Sequence, residues 1–457
     1  MSDFSELPLS PALQQGLTAA EYLQMTPVQA ASLPAILAGR DVIAQARTGS
    51  GKTAAFALGL LAAIDAGSVQ LQGLVLCPTR ELADQVSKEI RRLARFIPNL
   101  KVLTLCGGIP LRPHLASLAH EPHLVVGTPG RILELLQKGA LPLAAIRVLV
   151  LDEADRMLDM GFSEDIHAIT AQIPRKRQTL LFSATYDDAV RGISRQFQRD
   201  ALDASVTATL STEEVGQLFL EVGESVKFDT LTSLLVQHRP ESALVFCNTR
   251  HAVRELATRL AEQGHSVLAL HGDLDQRDRE EVLLRFANRS CALLVATDVA
   301  ARGLDIKDMP VVINHDMATT AEVHLHRIGR TGRAGCKGLA WTLCTPHERH
   351  RTLAIEELQG TPLDWQTPIP ASGAQKPLTA GMVTLVIDGG RQDKLRPGDL
   401  LGALTGDAGL AADAIGKIDI YATRAYVAIT RRAADQAFRA LVAGRIKGRR
   451  FRVRRLA

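Results

Sequence analysis

The sequence predicts an α/β protein: two tandem domains built on parallel sheets, then a small α+β domain. Three observations carry this. Over roughly the first 360 residues, short and nearly continuous apolar runs alternate with helical stretches, the pattern of parallel strands buried on both faces. The rhythm pauses at a Thr/Ser/Asp/Glu-rich stretch, 203–214, and then restarts. It stops at 361–381, where Pro362, Pro368, Pro370 and Pro377 lie among Ser, Gly and Gln, and a different pattern follows.

The elements follow in order. Apolar runs at 42–44, 74–77, 124–126, 148–151 and 179–182 are the strands expected of a first domain, 1–205. Runs at 243–246, 267–270, 293–295 and 311–313 belong to a second, 215–361. Residues 362–381 read as an extended proline-rich linker. In 382–457 the expected order is strand 383–388, helix 397–405, strands 415–421 and 425–430, helix 433–442 and strand 451–456. That βαββαβ order is the ferredoxin-like plan of RNA-recognition motifs.

Composition excludes other classes. With 457 residues, 46% of them hydrophobic, the chain is long and apolar enough for about three folded domains. No run of about 18 apolar residues is present, so no membrane span is expected. The polar, acidic start, Met1-Ser2-Asp3-Phe4-Ser5-Glu6, is unlike a secretory signal. Six scattered cysteines without a C-x-x-C pair suggest free thiols in a reducing cytoplasm. Nothing demands a partner subunit, so a monomer is expected. Charge is unevenly placed: 382–457 holds 15 basic and 7 acidic residues, net +8, while the rest holds 38 and 42, net −4. Such a tail points to a polyanionic partner.

Two strings in the first domain carry chemistry. Ala46-Arg47-Thr48-Gly49-Ser50-Gly51-Lys52-Thr53, between a strand and a helix, is a P-loop with Ala46 in the first glycine position. Its backbone N–H groups would cradle phosphates, Lys52 would reach the terminal phosphates, and the Thr53 hydroxyl would ligate Mg²⁺. The strand 148–151 empties into Asp152-Glu153-Ala154-Asp155. Carboxylates this dense at the carboxyl edge of a sheet suit a cation and base chemistry. Asp152 would hold Mg²⁺ through water, and Glu153 would deprotonate the attacking water. The nucleotide would be hydrolysed, not merely bound.

With these strings the chain resembles the DEAD-box RNA helicases, whose motifs appear in order. The resemblance implies two RecA-like domains with ATP and Mg²⁺ as cofactors and RNA as partner. Phe4 and 21–29, including Thr26 and Gln29, resemble the adenine-reading Q motif, with Glu21 where glycine is usual. Pro78-Thr79-Arg80, Gly107-Gly108 and Thr128-Pro129-Gly130-Arg131 match RNA-backbone contacts. Ser183-Ala184-Thr185 matches the motif coupling hydrolysis to strand separation.

In the second domain Asn248, Arg279, Thr297 and Arg302 match RNA contacts, and Asp305 would meet the ribose. Arg330 and Arg333, in His326-Arg327-Ile328-Gly329-Arg330-Thr331-Gly332-Arg333, match the finger arginines that stabilise charge on the transferred phosphoryl group. His324 stands where relatives commonly carry tyrosine. The family implies that ATP and RNA together close the domains, kinking one strand so that a short duplex separates. RNA would then stimulate hydrolysis, and ATP would tighten RNA binding.

The tail resembles the C-terminal RNA-binding domain of DbpA-type helicases, through Ile387-Asp388-Gly389-Gly390, Arg396-Pro397-Gly398-Asp399 and Ile415-Gly416-Lys417-Ile418 among others. That implies a 23S ribosomal RNA hairpin (hairpin 92) as target and a role in large-subunit assembly. Its two central strands are poor in aromatics, with Tyr426 alone placed to stack a base or to face the core. Recognition of a folded RNA shape by basic groups such as Lys417, Lys447 and Arg449 is therefore expected. The alternatives are an ATP-gated RNA clamp that unwinds nothing, a general mRNA or cold-shock remodeller, and, disfavoured by the motif set, a DNA helicase.

Overall fold

The computed structural model describes residues 3–45, 50–186, 188–205, 215–301, 309–332, 338–367 and 376–456. It divides into two compact units, the first holding one seven-stranded sheet and the second holding another together with a four-stranded sheet.

The first sheet comprises β1 (Val42–Gln45), β2 (Gly73–Leu76), β3 (Val102–Leu105), β4 (Leu124–Gly127), β5 (Val148–Asp152), β6 (Gln178–Ser183) and β7 (Leu202–Asp203). All pairings are parallel, in the order β3-β4-β2-β5-β6-β1-β7. Successive strand residues feed opposite cores, which explains the continuous apolar runs. Val75, Val126, Val150 and Phe182 pack on one side, and Leu74, Leu76, Val125, Leu149, Leu151 and Leu181 on the other.

The second unit repeats the plan with β8 (Val215–Glu221), β9 (Ala243–Cys247), β10 (Val267–Leu270), β11 (Leu293–Thr297), β12 (Val311–Asn314), β13 (Gly338–Cys344) and β14 (Trp365–Gln366), ordered β10-β11-β9-β12-β13-β8-β14. Strands β3, β7, β8, β13 and β14 had no expectation in the sequence. β3 is an edge strand with two half-buried central residues, and β8 interleaves Gly216, Gln217 and Glu221 with its apolar positions.

Part of 203–214 and of 361–381 lies outside the described residues. The described ends of the second segment are not free linker. Trp365 and Gln366 pair with β8. Leu378 enters the second core, its N–H donating to His265 Nδ1 at 3.1 Å and its carbonyl accepting from Ser266 N at 2.8 Å.

The tail forms β15 (Met382–Ile387), β16 (Ile415–Ile420), β17 (Ala425–Thr430) and β18 (Val453–Arg455), antiparallel in the order β16-β17-β15-β18. The expected first helix is six residues, Pro397–Gly402, followed by a π-turn over Ala403–Asp407. One sheet face packs Leu385, Ile387, Val427 and Ile429 against the helix Ala434–Ala443. The other face carries Val386 and Tyr426, which pack on Leu284 of the second domain.

Candidate nucleotide and RNA site

The carboxyl ends of β5, β6 and β1 are neighbours, with Asp152 beside Phe182 and Gln45 beside Ser183. The P-loop, the Asp-Glu-Ala-Asp string and Ser183 therefore share one edge of the sheet. Ala46, Arg47, Thr48 and Gly49 lie outside the described residues.

Gly51 caps the helix Lys52–Ala63 at φ +92°. A β-carbon there would lie 2.5 Å from Gln29 Nε2 and 3.0 Å from Thr26 Oγ1, so both conformation and space require glycine. Gln29 is buried; its Nε2 donates to the Gly51 carbonyl at 3.0 Å, and its Oε1 accepts from Thr26 N at 2.8 Å. Phe4 is buried edge-on against Tyr22. Glu21 has φ +58°, the left-handed region where glycine costs least.

Lys52 Nζ and Asp152 Oδ1 are both buried, and neither has a hydrogen-bond partner among the described residues. Burial pushes the Asp152 carboxyl up to about 6, opposed by Lys52 and assisted by Glu153. Thr53, half-buried, follows Lys52 in the first helical turn. This set suits the triphosphate of ATP and a hard cation: an ammonium, a hydroxyl and a carboxylate oxygen, two of them desolvated.

Glu153 sits at φ +52° and caps the helix Ala154–Asp159. Arg156, one turn on, pairs through Nη1 with Glu153 Oε2. Asp155 bonds to the motif beside it: its N–H donates to Ser183 Oγ at 3.3 Å, and its Oδ2 accepts from Thr185 N and Oγ1 at 3.3 and 3.4 Å. These bonds join Ser183 and Thr185 to the carboxylate string.

The other half of the same edge, at β3, β4 and β2, gathers the expected RNA contacts. Thr79 follows Pro78 and caps the helix Arg80–Leu93, accepting from Leu82 N at 3.3 Å. Gly107 N donates to Thr128 Oγ1 at 3.3 Å, and Gly108 has φ +80°. Gly130 lies in the first turn of the helix Pro129–Gln137. Arg131 is buried and committed to protein: Nη1 lies 2.6 Å from His114 Nδ1 and Nη2 donates to the Ile109 carbonyl at 2.7 Å. Its place is in fixing the loop after β3.

In the second unit, Asn248 is also committed. Its N–H donates to Asp316 Oδ2 at 2.9 Å, its Nδ2 to the Met317 carbonyl at 3.0 Å, and its Oδ1 accepts from Arg327 Nη2 at 2.7 Å. Arg327, 1% exposed, also forks onto both oxygens of Asp298 at 2.7 Å and reaches the Asp316 carbonyl at 2.6 Å. Sequence reasoning singled out neither Arg327 as a hub nor Arg156 as the partner of Glu153; spacing was the available signal, since Arg156 follows Glu153 by three on a helix. Arg279 Nη2 donates to the Ala300 carbonyl at 2.8 Å, and Thr297 Oγ1 accepts from Ala300 N. Arg330 is buried. Arg302, Asp305 and Arg333 lie outside the described residues.

In the tail, Lys417 is exposed beside Asp419 at 3.3 Å. Lys447 Nζ donates to the Lys394 carbonyl and lies 3.5 Å from Asp399. Arg445, Arg449 and Arg450 are exposed. Tyr426 is 9% exposed, packed with Leu284, Val386 and Leu456. An ordinary RNA-recognition motif stacks bases on this sheet face; here the second domain covers it, and the ring offers no open side.

Three family models match: the DEAD/DEAH box helicase over 26–193, the helicase conserved C-terminal domain over 226–335, and the DbpA RNA binding domain over 384–455. The chain is 54% identical to the ATP-dependent RNA helicase DbpA of Escherichia coli K12, with all of both chains covered. This chain belongs to the DEAD-box ATP-dependent RNA helicases. The DEAD-box helicase CshA of Bacillus cereus is 44% identical over 80% of this chain and 69% of its own. Among solved structures, Saccharomyces cerevisiae Dbp5 bound to RNA and ADP BeF3 superposes with a TM-score of 0.73 at 30% identity, covering 80% of this chain and 96% of that one. The helicase is thus a hydrolase acting on ATP and an RNA-binding protein of the DbpA type. Among the described residues no helix is long and apolar enough to cross a membrane.

Proposed function

We propose that this helicase, as a cytoplasmic monomer, remodels 23S ribosomal RNA near the peptidyl-transferase hairpin during large-subunit assembly. The observation that carries the reading is the tail: a DbpA RNA binding domain with a net charge of +8, its Arg445, Arg449 and Arg450 open to solvent. Contacts to phosphate and ribose in the two-domain core carry little sequence information, so an address must come from elsewhere. With the sheet face covered, that address would be read by the basic loop between the last helix and β18, not by stacking.

At the nucleotide edge, Lys52 would hold the terminal phosphates, with Thr53 and Asp152 (through water) holding Mg²⁺. The ion would supply charge to the phosphate oxygens. Glu153 would orient and deprotonate the attacking water, and Arg330 and Arg333 would contribute positive charge to the transferring group. Asp155, bonded to Ser183 and Thr185, would couple turnover to RNA strand separation.

The test compares ATPase stimulation by the 23S hairpin fragment, total ribosomal RNA and an unrelated RNA. A strong preference for the first is expected. Affinity for the hairpin fragment should fall at least about tenfold on converting Arg449 and Arg450 to alanine, since each lost phosphate contact weakens binding and lowers the salt slope. Equal stimulation by all three RNAs would overturn the ribosomal assignment and favour a general remodeller. ATPase without displacement of a short duplex would favour the clamp.

A further inference from the structure

Three potential metal ligands meet at the carboxyl edge of the second sheet. Cys247 ends β9, and His315 and Asp316 directly follow β12, the neighbouring strand. Cys247 Sγ lies 4.0 Å from His315 Nδ1, and His315 Nδ1 lies 2.9 Å from Asp316 Oδ1. The three donor atoms are all within 4.8 Å of one another. We propose that Cys247, His315 and Asp316 form a binding site for a soft divalent transition-metal ion, Zn²⁺ in the first instance.

Two of the three ligand separations are close to what such an ion needs. Tetrahedral zinc with bonds of about 2.0–2.3 Å sets its ligand atoms about 3.3–3.7 Å apart. The sulfur–nitrogen separation must close by a few tenths of an ångström and the nitrogen–oxygen separation open by a similar amount. Side-chain rotation can supply both, because His315 and Asp316 are only half-buried while Cys247 is fixed inside. Water would complete the coordination.

The surroundings are arranged as a second shell. Asp316 Oδ2 is held by Asn248 N at 2.9 Å, which leaves Oδ1 as the ligating oxygen. Two cations face the cluster: Arg327, whose Nη1 donates to the Asp316 carbonyl at 2.6 Å, and Lys227, whose Nζ lies 3.6 Å from Asp316 Oδ1. That ammonium also faces Glu224 at 3.9 Å and Glu348 at 4.0 Å, so its charge is shared among three carboxylates. On binding, one Zn²⁺ enters and the thiol proton leaves to solvent. With neutral His315, the Nδ1 proton moves to Nε2 and Nδ1 binds the metal. A thiolate and a carboxylate then balance the ion's two charges.

Filling the site would fix Asp316 and, through it, the Asn248 amide and the Arg327 guanidinium, which reaches the Asp316 carbonyl. The site therefore sits where a metal ion could govern a segment that the family resemblance assigns to RNA contact.

The test titrates the full chain with Co²⁺ and Zn²⁺ in the absence of nucleotide and RNA. Expected are one tightly held cobalt per chain, a sulfur-to-cobalt charge-transfer band in the near ultraviolet, and visible bands of tetrahedral intensity that zinc abolishes. Cys247→Ala should remove the charge-transfer band. His315→Gln, which keeps the thiol, should weaken zinc at least about tenfold against a chromophoric chelator. Circular dichroism on both variants controls for folding. A wild-type chain without the band, or a band that survives in Cys247→Ala, overturns the site. So does metal uptake equal in all three proteins, which would mark surface binding only. None of these readouts depends on which RNA the helicase acts upon.

Discussion

Asn288 donates its amide to the Thr384 hydroxyl at 2.8 Å, joining the second domain to the tail sheet through a buried bond. The Ser290 hydroxyl lies 2.5 Å from the same oxygen, and Leu284, Val386 and Tyr426 pack beside it. Thr384→Val preserves the shape and removes the acceptor, leaving a buried amide donor without a partner. The loss should be about 1–3 kcal/mol, read as a lower unfolding temperature and faster protease cleavage near residues 376–382. Wild-type behaviour in both measurements would mean the seam carries no weight in solution.

The covered face makes a second prediction. Stacking on an aromatic ring is worth about 1–3 kcal/mol per base, so its removal lowers affinity by roughly fivefold or more. Tyr426→Leu keeps an apolar side chain against Leu284 and removes the ring. Hairpin affinity should stay within about twofold of wild type. A fivefold loss with an unchanged unfolding temperature would show that the tail lifts off its neighbour and uses the ring after all.

Glu153 and Arg156 form a buried ion pair next to Asp152 Oδ1 and Lys52 Nζ, which have no hydrogen-bond partner among the described residues. Arg156→Ala would break a buried ion pair by removing one partner, a change that typically costs about 3–5 kcal/mol, and thermal melts of the ligand-free protein should show it. Glu153→Gln retains a hydrogen-bonding shape but loses the base. RNA-stimulated turnover should drop by about 10² to 10⁴ while ATP and RNA still bind, so RNA release slows. Near-normal turnover in Glu153→Gln would remove this residue from the chemistry.

The parallel sheets were legible because strands buried on both faces leave unbroken apolar runs, as at Leu149–Val150–Leu151, whose residues enter opposite cores. Edge strand β3 and the polar-interrupted β8 left no such signature. Of the site, residue types and spacing pointed to the carboxylate string and the P-loop helix, now found after β5 and β1, the two strands that flank β6. What spacing could not show is which polar groups are already engaged. Arg131 and Asn248 stand at expected RNA-contact positions, yet their side chains are bound to His114, Ile109, Met317 and Arg327. Such pairings join residues 17 to 79 positions apart and depend on topology. Tyr426 illustrates the same point: sheet alternation allows either face, and only the packing of Leu284 decides between them.

His324 is fully buried beside Phe219, at 5.5 Å between ring centroids, with Nε2 3.0 Å from Gln217 Oε1. Burial, with the nearby Arg327 guanidinium, depresses its imidazole from 6.5 to about 3. Between those values the unfolded chain binds a proton that the folded chain refuses, so folding stability falls as pH drops below about 6.5. The slope contributed is about 1.4 kcal/mol per pH unit, or roughly 3 kcal/mol by pH 4. His324→Phe keeps an aromatic ring against Phe219. It leaves Gln217 paired with Gln359 through reciprocal amide bonds at 3.1 and 3.2 Å. Denaturant unfolding of both proteins at pH 7, 6, 5 and 4 should show a gap that widens in the variant's favour as pH falls. Taking the difference cancels the other titrating groups that both chains share. Parallel pH profiles would mean that His324 takes up its proton inside the fold and that its pocket is wetter than the packing implies.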